Sequence, residues 1–262
     1  MYLFDQDIAS QAANDTPALS AQVSDNWSIN GIPNGGYQMA LLANAMLSHS
    51  DKTSLAILTA TFIARCDPGN ACVMVDRIAS SSQFERFEAR MDQDGVEKIR
   101  ALGTFVDPEM SCTFNRIEAA PPEIAPRDDC LAIPEIPKYT LFNQVEAMLD
   151  PSCIGWMSGR LSDRSEHKGW IKFKDQRPFD AVSLLLMADA FPPPVYASQG
   201  LGAWVPTLEM SVNIRKLPAS QWLKCTFRTR FITCGLLEED GQIWDETGEL
   251  IAISRQIAQY RS

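Results

Sequence analysis

The sequence predicts an α+β fold of two tandem units, each an apolar helix wrapped by an antiparallel sheet, with the two sheets pairing edge to edge into one continuous sheet. Three observations carry this prediction. A run of helix formers followed by strand-like segments occurs twice, hairpin landmarks inside the two occurrences are similarly spaced, and a proline-rich stretch separates them. The expected boundaries are an N-terminal unit at residues 1–107, a connector at 108–150 and a C-terminal unit at 151–262.

In the first unit, Gly35 to His49 (GGYQMALLANAMLSH) is rich in helix formers after a Gly-Gly opening, with Met39, Leu42 and Met46 at helical spacing. Strand-like segments follow at Leu55 to Ala64, Ala71 to Ala79, Gln83 to Asp92 and Glu97 to Val106. Asp67-Pro68-Gly69 and Asp92-Gln93-Asp94-Gly95 supply turns between them. The second unit reads as strands at Cys153 to Gly159 and Lys168 to Lys174, a helix around Phe179 to Asp189, and strands from Pro206 onward. It closes with a hairpin of Cys225 to Leu237, Gln242 to Trp244 and Leu250 to Tyr260, turning at Asp245-Glu246-Thr247-Gly248. Pro68 and Gly95 lie 27 positions apart, and Pro218 and Gly248 lie 30 apart, as a duplication predicts. Between the units, Pro108, Pro121, Pro122, Pro126, Pro134 and Pro137 remove backbone donors and restrict φ, so a semi-rigid surface connector is expected.

Hydrophobic residues make up 45% and charged residues 21%, which fits a soluble globular chain. The longest apolar stretches, Met39 to Leu47 and Val182 to Ala190, fall far short of a membrane span, and early acids Asp5 and Asp7 argue against an export signal. Seven scattered cysteines without a C-x-x-C pair read as reduced, which points to the cytoplasm. A net charge of −10 argues against nucleic-acid and anionic-membrane partners.

The segment Trp27-Ser28-Ile29-Asn30-Gly31-Ile32-Pro33-Asn34-Gly35-Gly36-Tyr37 resembles the W-x-x-x-G-x-P-x-G-G-[YF] opening of double-hotdog acyl-CoA thioesterases, with Asn34 where related sequences often carry His or Phe. Ala188-Asp189-Ala190-Phe191-Pro192-Pro193, then Trp204-Val205-Pro206-Thr207-Leu208-Glu209-Met210-Ser211, then Ser254-Arg255-Gln256 are similar to the thioesterase II type of that family. The resemblance implies a double hotdog fold, an acyl-CoA substrate, no separate cofactor because CoA is part of the substrate, and Asp189, Thr207 and Gln256 as the residues that position the hydrolytic water.

Thioester hydrolysis needs an oriented water, a proton acceptor and hydrogen-bond donors for the carbonyl oxygen. Asp189 ends an apolar helix, where the helix dipole disfavours negative charge, so it reads either as a base with a raised pKa or as a helix-end acceptor of local backbone bonds. Thr207 and Gln256 taken singly are ordinary strand residues; the Gln256 amide can hold water or donate to the substrate carbonyl. Gly35, Gly36 and Tyr37 at the helix opening are candidate substrate-binding residues. The glycine amides either approach the thioester oxygen or the glycines serve close helix packing. Arg228 and Arg230, at alternate strand positions, are candidates for the CoA phosphates or a solvated strand face.

Counting eight residues past each hairpin glycine sets Gln256 against Gly103, so one catalytic site per chain is expected, with its helix N-terminus from the first unit and its polar residues from the second. The absence of G-x-S-x-G, H-E-x-x-H and Cys/His clusters removes serine-hydrolase and metal mechanisms. Asp163 and His167 read as surface loop residues. A hydratase is disfavoured, since no His falls on the second helix. The alternative of another class is a non-catalytic acyl-CoA or acyl-carrier binding protein; a homodimer or higher homo-oligomer is plausible for exposed sheet edges.

Overall fold

In a computed structural model, which describes residues 1–12, 17–107 and 114–261, a fourteen-stranded sheet runs through both halves and wraps two central helices. The sheets join where strand Ser54–Phe62 pairs antiparallel with Thr207–Ile214, Ser211 standing opposite Thr59. Across this seam the two hydroxyls bond at 2.9 Å on one face, while Leu58 and Val212 are fully buried on the other. Outward through the first half come Val96–Val106, Glu85–Gln93, Gly69–Ser80, Leu19–Val23 and Ser10–Ala12. Outward through the second come Leu250–Gln259, Leu236–Asp245, Leu223–Thr229, Ser165–Phe173, Val145–Leu149 and Leu131–Ala132.

The alternation of the Glu85–Gln93 strand shows how the pattern sets the inner face. Phe87, Ala89 and Met91 turn inward, and Phe87 meets Phe105 edge-on at 5.6 Å. The first helix, Gly35–Leu47, has no polar face: Gly36 through Ala43 are all buried, because sheet and second helix enclose it. Asn34 caps it, its Oδ1 accepting the Tyr37 N–H at 3.0 Å. Gly36 lets the helices touch; a Cβ there would lie 2.4 Å from the Leu185 carbonyl oxygen.

The second helix is shorter than the apolar run predicts, spanning Ser183–Met187. Asp180 explains the late start: its Oδ1 accepts the Ser183 N–H at 2.7 Å, and the Ser183 hydroxyl accepts the Asp180 N–H at 2.9 Å. The buried Arg177 guanidinium bridges Asp180 and Asp5, holding that turn against the N-terminal segment.

Three sequence expectations are corrected. Cys153 to Gly159 is not a strand but part of two 3-10 turns, Pro151–Cys153 and Gly155–Ser158, seeded by Asp150, whose Oδ1 accepts the Ser152 N–H at 2.9 Å, and ended by Gly159 at φ 76°. Cys225 to Leu237 is broken by left-handed Cys234 and Gly235, so Leu223–Thr229 and Leu236–Asp245 are separate strands with the short Ile232–Thr233 between them. His167 is not in a surface loop: it is fully buried on strand Ser165–Phe173, with a ring nitrogen 2.9 Å from the Pro192 carbonyl oxygen, and burial lowers its pKa to about 4, keeping it neutral.

Residues 108–113, the start of the expected connector with Cys112, lie outside the described residues. Farther on, that stretch already contributes strands Leu131–Ala132 and Val145–Leu149 to the second half's sheet. It lies along the second half: Ala125 donates to Asp150 and accepts from the Trp170 indole, and Arg127 stacks over both Trp170 and Trp222.

Candidate active site

Asp189 follows the second helix, but its carboxylate is held by the start of the first. Its Oδ2 accepts the Gly36 N–H at 3.0 Å and the Asn34 side-chain amide at 2.9 Å, and the same amide also donates to the Asp189 carbonyl at 2.8 Å. The dipole penalty expected from its own helix end is therefore met by the N-terminus of a thirteen-residue helix from the other half. Burial still dominates: it raises the Asp189 pKa to about 6, against the lowering effect of the Gly36 and Gly35 amides and of Asn34. The residue itself keeps partial solvent contact.

Gly35 and Gly36 are expected either to face a substrate oxygen or to serve close packing, and the structure sets both against Asp189. Their backbone donors are directed at Asp189 rather than left free for a substrate oxygen. Both glycines also serve close packing, since a Cβ at Gly35 would come within 3.0 Å of Asp189 Oδ2 and 2.9 Å of the Phe62 ring.

Thr207 and Gln256 come together. A register shift between Thr207 and Glu209 interrupts the pairing with the last strand, and the Thr207 hydroxyl donates to Gln256 Oε1 at 2.6 Å. Gln256 is buried and stands directly opposite Glu239 on strand Leu236–Asp245, where its side chain acts on the Glu239 carboxyl. The charge of Asp189 reaches Glu239, which links the two groups of polar residues electrostatically. Abreast of Glu239, one residue past the Arg228–Asp240 pair, Thr229 has a buried hydroxyl with no protein partner among the described residues.

Sequence reasoning missed Glu239 because Glu238-Glu239-Asp240-Gly241 looks like a polar turn between strands. Its signal lay in hairpin counting: once Gln256 is fixed on the last strand, the residue facing it across the turn is Glu239.

Three binding candidates stand elsewhere. Tyr37 is fully buried in the first half; its hydroxyl donates to the Asp7 carbonyl and accepts the Ser24 N–H, and its ring stacks on Trp27. Arg228 pairs with Asp240, and Asp240 with Arg255, on the sheet face opposite Glu239 and Gln256. There Arg230 bonds Asp240 at 2.7 Å and Arg228 approaches Glu166 at 4.0 Å. Among the described residues no cluster of His, Cys, Asp and Glu is arranged to hold a metal.

The first half shows the same positions without polar side chains. Leu58, Gly103 and Phe87 form one inward rung, and Met210, Gln256 and Glu239 form the corresponding rung of the second half. A Cβ at Gly103 would lie 2.6 Å from Met46 Sδ, and Phe87 is buried, so the first-half rung is packed hydrocarbon.

Known proteins share this architecture throughout. A protein of Thermobifida fusca, described provisionally as a thioesterase II, superposes with a TM-score of 0.87 at 21% identity, over 100% of this chain and 98% of its own. A hot dog fold protein of unknown function from Alicyclobacillus acidocaldarius does so with a TM-score of 0.87 at 20% identity, over 100% and 99%. The molecule is thus a double-hotdog protein. Residues 23–106 match the acyl-CoA thioesterase N-terminal domain and residues 125–260 the acyl-CoA thioesterase C-terminal domain. The chain belongs to the acyl-CoA thioesterase family. An uncharacterised protein of Mycobacterium tuberculosis is 23% identical over 92% of this chain and 90% of its own length.

Proposed function

We propose that the protein hydrolyses an acyl-CoA thioester to the free acid and CoA, with one site per chain built from Asp189, Thr207 and Gln256. The observation that carries this reading is the Asp189 carboxyl, contributed by one half and held at the helix N-terminus of the other, within electrostatic reach of the Gln256–Glu239 pair. Oδ2 is engaged by Asn34 and Gly36, so Oδ1 is the acceptor offered to water. A water held between Oδ1 and the Thr207–Gln256 pair gives its proton to Asp189 as its oxygen attacks the thioester carbon. A Gln256 amide N–H supports the negative charge on the carbonyl oxygen. When the C–S bond breaks, the CoA thiolate leaves and recovers the proton.

A carboxyl titrating at about 6 is ionised at neutral pH yet more basic than an ordinary aspartate, which suits proton abstraction from water. The six cysteines among the described residues are unpaired, which agrees with a reducing compartment such as the cytoplasm.

Thiol release over a panel of acyl-CoA chain lengths tests the proposal. Asp189→Ala and Gln256→Ala are each expected to lower kcat by about a hundredfold or more. The wild-type kcat/KM should rise with pH through about 6 as Asp189 ionises. Acyl-CoA binding without thiol release in the unmutated protein would overturn hydrolysis, and full activity in both variants would overturn the site.

A further inference from the structure

The inner face of the second half carries a carboxyl that the proposed hydrolysis does not itself use. Glu239 is buried and stands directly opposite Gln256 in the strand register. Among the described residues no lysine or arginine neutralises it. Arg230 and Arg255 both engage Asp240, and Arg228 leans toward Glu166, all on the other face of the sheet. The remaining charged groups that act on it are acids: Asp189 from the end of the second helix, and Glu238 and Asp240 from its own strand. Burying an unpaired carboxyl in such company is unfavourable, and the fold does not require it, because the matching position of the first half is Phe87.

The Gln256 amide explains its presence. Without constraint an amide can turn end for end and exchange its carbonyl for its NH2 group. Thr207 holds the carbonyl end by donating to Oε1, and Glu239 stands directly opposite on the neighbouring strand, where the Gln256 side chain acts on its carboxyl. We propose that Glu239 is a positioning residue that, with Thr207, fixes the Gln256 amide in the one orientation that presents an N–H to the thioester oxygen. Burial, reinforced by the negative charges of Asp189, Glu238 and Asp240, raises its pKa to about 8, so at neutral pH it is an uncharged acid. An uncharged acid accepts from the Gln256 NH2 group without placing a second negative charge beside Asp189 or the developing oxyanion. The catalytic part of this inference rests on the hydrolysis proposed above.

Two readouts test it on the full chain. In the 15N-labelled protein, the side-chain amide of Gln256, assigned by its loss in Gln256→Ala, should shift with a midpoint near 8, and that inflection should vanish in Glu239→Gln. In thiol release, Glu239→Leu should lower kcat by about ten- to a hundredfold with little change in KM, as misorientation of a reacting group does. Glu239→Gln should recover most of that loss and remove the fall in activity above pH 8. A Gln256 amide with no inflection near 8 in the wild type, or wild-type kcat in Glu239→Leu, would overturn the assignment. Should Glu239→Leu fail to fold, the amide titration and the pH profile of Glu239→Gln decide. Should the wild type release no thiol, hydrolysis fails while the amide titration still decides whether Glu239 holds Gln256.

Discussion

Replacing Asp189 with Asn should make the protein more stable, and the gain should depend on pH in a defined way. Asn is nearly isosteric and keeps an oxygen able to accept the Gly36 N–H and the Asn34 amide, but it removes the charge. In the folded chain the Asp189 pKa is raised from 3.8 to about 6, chiefly by burial. Below 3.8 the carboxyl is protonated in both folded and unfolded states and contributes nothing. Between 3.8 and about 6 the unfolded chain releases the proton while the folded chain retains it, so wild-type stability falls as pH rises through that window. Above about 6 the full difference is in place. At about 1.4 kcal/mol per unit the shift amounts to about 3 kcal/mol, and partial solvent contact of the side chain brings this to about 2 kcal/mol. Urea unfolding of wild type and Asp189→Asn at half-unit steps from pH 4 to 8 measures it. The difference should grow from near zero at pH 4 to a plateau above pH 6.5, with unchanged m-values. A pH-independent difference, or a variant destabilised at pH 7, would refute the claim that this carboxylate is held charged against its surroundings.

Two further changes probe the packing and the limits of the site. Gly36→Ala drives a methyl to 2.4 Å from the Leu185 carbonyl, so the two helices must separate; a loss of about 1–3 kcal/mol by urea unfolding is expected, and stability unchanged from wild type would contradict the close helix contact. Arg228→Ala with Arg230→Ala removes ion pairs from the sheet face opposite Gln256, so kcat/KM for acyl-CoA should stay within about twofold of wild type; a tenfold rise in KM would return those residues to CoA binding.

The first half was the most readable part of the chain. Strand Glu85–Gln93 alternates cleanly and Asp94-Gly95 marks its hairpin, so pattern and turn chemistry agree there. The comparison of Gln256 with Gly103 was equally legible, because hairpin counting survives small register shifts and the pairings confirm corresponding rungs. Where the reading failed, tertiary contacts overrode local pattern. Asp180 and Ser183 cap each other and shorten the second helix; Asp150 and Pro151 convert an apolar segment into 3-10 turns. His167 and Glu239 are polar residues on strands whose inner face is otherwise apolar, so neighbours far along the chain decide their burial. The raised pKa expected at Asp189 from its helix end comes from burial instead, and the groups that hold its carboxylate, Asn34 and Gly36, are 153 or more positions away in sequence.

The tether between the halves has a consequence for how such a site is able to arise. In an assembly of two identical single units, any substitution is copied into both grooves, so an acid on the inner face is buried twice even if one groove never works. Here a single polypeptide runs from one half to the other, its later part anchored along the second by Ala125 and Arg127. That covalent link frees the two sequences to drift apart. The half that keeps Phe87 and Gly103 supplies one helix end, and the half with Glu239 and Gln256 alone bears the cost of the buried polar pair.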